Sequence, residues 1–160
     1  FALAHYTKGS LLYNNDMNYS AVEEYIKCYD IAKNGNDKRL LIIVLTFIAD
    51  VKAVYGQEDE AILLQQKTLN YLKTYQSSID DYESIYLLWV EQMSRSFLFS
   101  KELDSAAKYI DIGISIAQKN NEESEIRNFR RQQAKLNYYL GNFQVAKDNL
   151  IKYFEIRKLL

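Results

Sequence analysis

Gly56-Gln57-Glu58-Asp59-Glu60-Ala61-Ile62 reads as a turn glycine, a run of polar residues and an alanine that opens a helical stretch. Versions of it recur at Asn18-Tyr19-Ser20-Ala21-Val22, Lys101-Glu102-Leu103-Asp104-Ser105-Ala106-Ala107 and Gly141-Asn142-Phe143-Gln144-Val145-Ala146-Lys147. The alanines Ala21, Ala61, Ala106 and Ala146 stand 40, 45 and 40 residues apart. A second small residue precedes each alanine by twelve positions: Gly9, Ala49, Ser94 and Ala134. Two antiparallel helices approach closely only where side chains are small, so each small pair marks a helix-turn-helix contact. Recurrence at a fixed long period is the mark of a repeat architecture.

The intervals between these marks fill with helix. Apolar positions recur at steps of three and four, as in Ile85, Leu88, Trp89, Met93 and Phe97. The chain of 160 residues has no proline and five glycines, too little turn punctuation for a sandwich or barrel. The expected helices are about 2–15, 19–34, 38–55, 58–75, 79–99, 102–119, 122–140 and 143–159. Gly35 stops one helix, with Asn36 and Asp37 placed to cap the next. Ser78 with Asp81 three residues on has the shape of a capping box, and Asn142 stands where a cap for the last helix belongs. The reading is all-α: four antiparallel helix pairs in one domain, with repeats at about 2–36, 37–77, 78–120 and 121–160.

With its small residue, turn, alanine and aromatic at set intervals, the pattern resembles the tetratricopeptide repeat. Gly9, Ala21, Tyr25 and Cys28 fit the family's positions 8, 20, 24 and 27, and Gly56 to Ile62 and Leu140 to Phe143 follow its turn. His5, Leu45, Val90 and Arg130 stand where the family has tryptophan, and the closing proline is missing throughout. The period of 40 to 45 exceeds the family's own, which implies longer helices. Such lengthened repeats are similar to those of bacterial regulatory and signalling proteins. The resemblance implies an α-α superhelix, a right-handed solenoid, whose first helices line a concave groove that holds a protein or peptide.

Carried over position by position, that groove comprises Leu3, Tyr6, Ser10, Tyr13 and Asn14 in the first repeat and Ile43, Thr46, Asp50, Ala53 and Val54 in the second. In the third it comprises Leu88, Glu91, Arg95, Leu98 and Phe99, and in the fourth Asn128, Arg131, Lys135, Tyr138 and Tyr139. Arg127, Arg131 and Lys135 stack at four-residue steps along one helix face. With Arg95 they suit a carboxylate or an acidic peptide segment. Tyr6 and Ser10 stand where the family's co-chaperones carry a lysine and an asparagine, so chaperone-tail binding is disfavoured.

Little points to chemistry. The single histidine, His5, lacks the partners a metal site needs. Cys28 would need a histidine or basic partner to act as a nucleophile, and its fit to a small packing position accounts for it without one. No glycine-rich phosphate loop occurs. Glu58-Asp59-Glu60 and Glu122-Glu123 sit in first turns, where negative charge complements the helix dipole. We expect no cofactor, no metal and no enzymatic activity.

The formal net charge of -1 carries no nucleic-acid footprint. The longest apolar run, Leu40 to Val51, is core-helix length rather than membrane length. One cysteine gives no intrachain disulfide, which suits cytoplasm and periplasm alike. The chain opens on Phe1 and stops at Leu160 in an apolar helical run, which reads as a piece of a longer protein. Leu150, Ile151, Tyr153, Phe154, Ile156, Leu159 and Leu160 make the last helix apolar around much of its girth. That helix is expected to pack on a following helix or on a second copy as a homodimer. The sequence thus supports a protein- or peptide-binding scaffold first, a sensory or regulatory input domain of a bacterial signalling or transcriptional regulator second, and an enzyme least.

Overall fold

The computed structural model describes residues 1–159, with side chains described for 1–156. It is an α-α superhelix of four antiparallel helix pairs. The helices are α1 (Ala2–Asn14), α2 (Asn18–Ala32), α3 (Lys38–Val54), α4 (Glu58–Tyr75), α5 (Tyr82–Ser100), α6 (Leu103–Lys119), α7 (Glu123–Tyr139) and α8 (Phe143–Leu159). Each helix packs on the next, and α3 also packs on α5 and α5 on α7. Tyr6 and Tyr13 bring α1 against Phe47 of α3. The odd-numbered helices therefore form one layer, and the even-numbered helices form the other.

The turns inside the pairs share one conformation. A left-handed residue follows each first helix: Asp16 (φ 59°), Gly56 (φ 75°), Lys101 (φ 59°) and Gly141 (φ 77°). Each stands five residues before its repeat alanine, so the left-handed residues keep the same spacing as the alanines. The residue after each of them donates its N–H five residues back: Met17 to Leu12, Gln57 to Lys52, Glu102 to Phe97 and Asn142 to Asn137. These bonds satisfy carbonyls that a helix end leaves unpaired. Glycine adopts positive φ freely, whereas Asp16 and Lys101 do so against their own Cβ.

Among α1 to α7 only the start of α3 carries a side-chain cap. Asp37 caps α3, its Oδ1 accepting from the N–H of Leu40 at 2.8 Å. Asn142 stands at the head of α8, its carbonyl accepting from the N–H of Ala146. Ser78 does not open α5: Gln76–Ser78 form a 3-10 turn, Ile79 is buried, and α5 begins at Tyr82. The Asp81 side chain makes no cap bond. Arg39 of α3 takes it instead, with Nε and Nη2 on its carboxylate at 2.7 to 2.9 Å.

The small residues close the pairs as expected. Gly9, Ala21, Ala49, Ala61, Ser94, Ala106, Ala134 and Ala146 are all buried. Their register continues along the second helices. Tyr25, Cys28 and Ala32 follow Ala21 by four, seven and eleven residues; Gln65, Thr68 and Leu72 follow Ala61 likewise, and Ile110, Gly113 and Ala117 follow Ala106. All nine are buried, because this face of each second helix receives the next repeat. In α8 the corresponding Leu150 is exposed, as are Ile151 and Phe154, since no described helix follows it. Leu159 and Leu160, on which part of the end-packing expectation rests, have side chains outside the described residues.

Helix α3 is buried on nearly every side, from Leu40 through Ala53, because it touches α2, α4 and α5 together with α1. An apolar sequence all round a helix suits that position. Among the described residues no helix is long and apolar enough to cross a membrane. The main core gathers Trp89, Met93, Phe97, Ile110 and Phe129 between α5, α6 and α7. The indole N–H of Trp89 donates to the Gln65 carbonyl at 2.9 Å, so the largest core side chain leaves no unpaired donor.

Candidate functional site

One polar chain runs through the first-helix layer. The phenol of Tyr13, on α1, donates to Asp50 Oδ2 on α3. Arg95, on α5, donates from Nη1 to the Tyr13 oxygen at 3.1 Å. Its Nε lies 3.2 Å from Asp50 Oδ1, close in charge but not aligned as a hydrogen bond. Three repeats thus meet on one carboxylate. Asp50 is fully buried and Arg95 largely so. Burial pushes the Asp50 carboxyl upward from its ordinary value, while the Arg95 charge and the Tyr13 hydrogen bond pull it back. Burial also raises the Tyr13 phenol, which stays a neutral donor.

Glu91 stands one turn before Arg95 on α5 and is 7% exposed. Burial first, then the Glu125 and Asp50 carboxylates, lift its pKa to about 7 against the pull of Arg95 and Arg131. Beside it, Ser94 Oγ meets Gln132 Oε1 across the α5–α7 contact, and Gln132 Nε2 donates to the Glu91 carbonyl at 3.3 Å. This buried pair fixes α7 against α5 in one register.

Above that contact lies a pocket of about 240 Å³ lined by Arg95, Leu98, Phe99, Arg131, Gln132 and Lys135. Lys135 Nζ sits 4.3 Å from the Phe99 ring centre and 5.7 Å from that of Tyr139, so two rings hold its ammonium in place. Arg131 is exposed. Among the described residues neither Arg131 nor Lys135 makes an ion pair. Their charges are free for something else.

The expected groove residues divide into four groups. Arg95, Arg131 and Lys135 come together in the pocket, and Tyr139 flanks it, half open to solvent. Tyr13, Asp50 and Glu91 lie beneath the surface and act on the pocket through Arg95. Tyr6 and Ser10 turn toward Tyr25: the Tyr6 and Tyr25 ring centres are 6.2 Å apart, and the Tyr25 hydroxyl donates to Ser10 Oγ at 3.4 Å. Asn14 is exposed at the end of α1, and Asn128 is half-buried on α7. The neighbouring positions Ile43, Thr46 and Ala53 belong to the interior, while Leu98, almost fully buried, lines the pocket.

Two features at the first repeat are structural in character. Glu24 receives Lys8 at 3.0 Å and Lys27 at 2.9 Å, and lies 2.7 Å from His5 Nδ1. Those hydrogen bonds, His5 first, draw its carboxyl down to about 2 and tie α1 to α2. Cys28 is fully buried, and that burial pushes its thiol upward, toward the unreactive neutral form. Among the described residues no group of three or more histidine, cysteine, aspartate or glutamate side chains is arranged to hold a metal.

Sequence reasoning passed over Gln132 and Gly113. Gln132 lines the pocket and Gly113 admits the Phe129 ring that seats α7. The signal for Gly113 was present, since it follows Ala106 as Cys28 follows Ala21. Nothing local marks Gln132. No family model and no curated protein matches the chain.

Proposed function

We propose that this chain is a non-enzymatic scaffold of the tetratricopeptide kind, which holds a peptide or protein segment along the face of its first helices. The observation that carries this reading is the pocket between α5 and α7, where Arg131 and Lys135, without ion-pair partners among the described residues, stand beside aromatic rings. Helical repeat arrays use such extended surfaces for recognition. Exposed tyrosines beside charged anchors are a favoured composition for interfaces. Tyr139, exposed and with its ring beside Lys135, supplies one at the rim of the pocket.

Selection from a displayed library of random twelve-residue peptides tests it. Enriched peptides should bind the wild-type chain and bind the Arg131→Ala/Tyr139→Ala variant about tenfold more weakly or worse. Arg95 is left intact in that variant because its loss would strand Asp50. Peptides that bind both proteins equally would overturn the groove reading.

A further inference from the structure

We infer that the α5–α7 pocket takes a single carboxylate, borne by one residue of the bound peptide. This rests on the scaffold reading and specifies its chemistry.

The cations set the charge. Arg131 and Lys135 reach the pocket unpaired among the described residues, whereas Arg95 arrives already matched to Asp50. The Asp50 carboxylate, 3.2 Å from Arg95 Nε, offsets that guanidinium's charge beneath the pocket. Two free cations beside an apolar wall suit a carboxylate carried on an aliphatic stem. Guanidinium geometry fits a carboxylate in a bidentate manner.

The walls set the size and the remainder of the ligand. Leu98 and Phe99 give the pocket an apolar side, against which the aliphatic part of an acidic residue rests. The volume of about 240 Å³ admits one residue rather than a run of them. Lys135 is held over Phe99 and Arg95 is held by Asp50 and Tyr13, so two of the three donors are oriented before any ligand arrives. Preorganised donors lose little freedom on binding, which favours recognition of a small group.

Two sources bear this group: an aspartate or glutamate side chain, and the free C-terminus of a chain. The test takes a peptide selected as above and makes it in four forms: unchanged, with each acidic residue replaced by its amide, with an amidated C-terminus, and with both changes. Fluorescence anisotropy measures each against wild type and Arg131→Gln/Lys135→Gln. Either the side-chain or the C-terminal change should weaken binding to wild type by about tenfold to a hundredfold. The same change should cost the double variant less than about threefold, because its pocket has lost the charges that read the carboxylate. A circular dichroism melt of the double variant within a few degrees of wild type excludes unfolding as the cause. Peptides that depend on Arg131 and Tyr139 yet tolerate all three changes would overturn the carboxylate assignment and leave the scaffold reading standing. Inorganic phosphate competing more strongly than acetate would also overturn it.

Discussion

The ring of Phe129 lies directly over Gly113, so close that a Cβ added to the glycine would overlap Phe129 Cζ. This contact seats α7 on α6, and Phe129 is fully enclosed. Gly113→Ala gains helix propensity of about 1 kcal/mol but must displace a ring that has nowhere to go. The expected outcome is a net loss of roughly 1–3 kcal/mol, read from urea unfolding. Combining it with Phe129→Leu should recover part of that loss. Additive costs in the double variant would show that the two residues do not share one space.

The four pair-internal turns divide by residue type. Lys101 and Asp16 hold positive φ with a side chain, and Gly56 and Gly141 hold it without one. Lys101→Gly and Asp16→Gly should each raise stability by about 0.5–1 kcal/mol, since the left-handed strain exceeds the entropy that glycine adds. Gly56→Ala and Gly141→Ala should each cost about 1 kcal/mol. An added Cβ at either glycine meets nothing within 4 Å, so that cost is backbone strain alone. Thermal melts of the four variants check the pairing of signs.

The same turns explain why so much of the fold was legible. Small residues at fixed intervals carry the helix-pair contacts, and they are local features of composition. Helix α3 was readable because its apolar run is matched by burial on all sides. The start of α5 was misplaced because Ser78 and Asp81 have the spacing of a cap, while the partner that claims Asp81 is Arg39, 42 residues away. The site shows the same limit. Arg131 and Lys135 were placed on one face by helical register, and Arg95 beside them by the groove positions that the repeat resemblance implies. That Asp50 would be buried beneath them depends on Tyr13 and Arg95 arriving from other repeats, which periodicity does not report.

Glu91 gives the protein a pH-dependent stability of definite sign. Its folded pKa, raised to about 7 by burial and by Glu125 and Asp50, exceeds the ordinary 4.5. The folded chain therefore binds more protons than the unfolded chain between those values, and stability falls as pH rises through that window. Asp50 and Glu125, also raised, act in the same direction, while Arg95 and Arg131 oppose the shift. The Glu91 contribution amounts to roughly 3 kcal/mol at most. It is fully present below about pH 4.5 and lost above about pH 7. Glu91→Gln should flatten the profile of unfolding midpoint against pH and be more stable than wild type at pH 8. A variant that keeps the wild-type slope would place the titration elsewhere.

Arg95 should matter to stability more than its place on a binding face suggests. It is the cation that answers the fully buried Asp50. Arg95→Met leaves that carboxylate with the Tyr13 hydroxyl alone, and breaking a buried pair from one side costs about 3–5 kcal/mol. Much of this returns if the carboxylate goes too, because the penalty lies in the stranded charge rather than in the lost attraction. Arg95→Met/Asp50→Leu should therefore unfold at a denaturant concentration closer to wild type than to Arg95→Met. Tyr13→Phe supplies the control: it removes one hydrogen bond to Asp50 but leaves the ion pair, and should cost about 1–2 kcal/mol. If Tyr13→Phe proved as damaging as Arg95→Met, the hydrogen bond rather than the charge would hold the three repeats together.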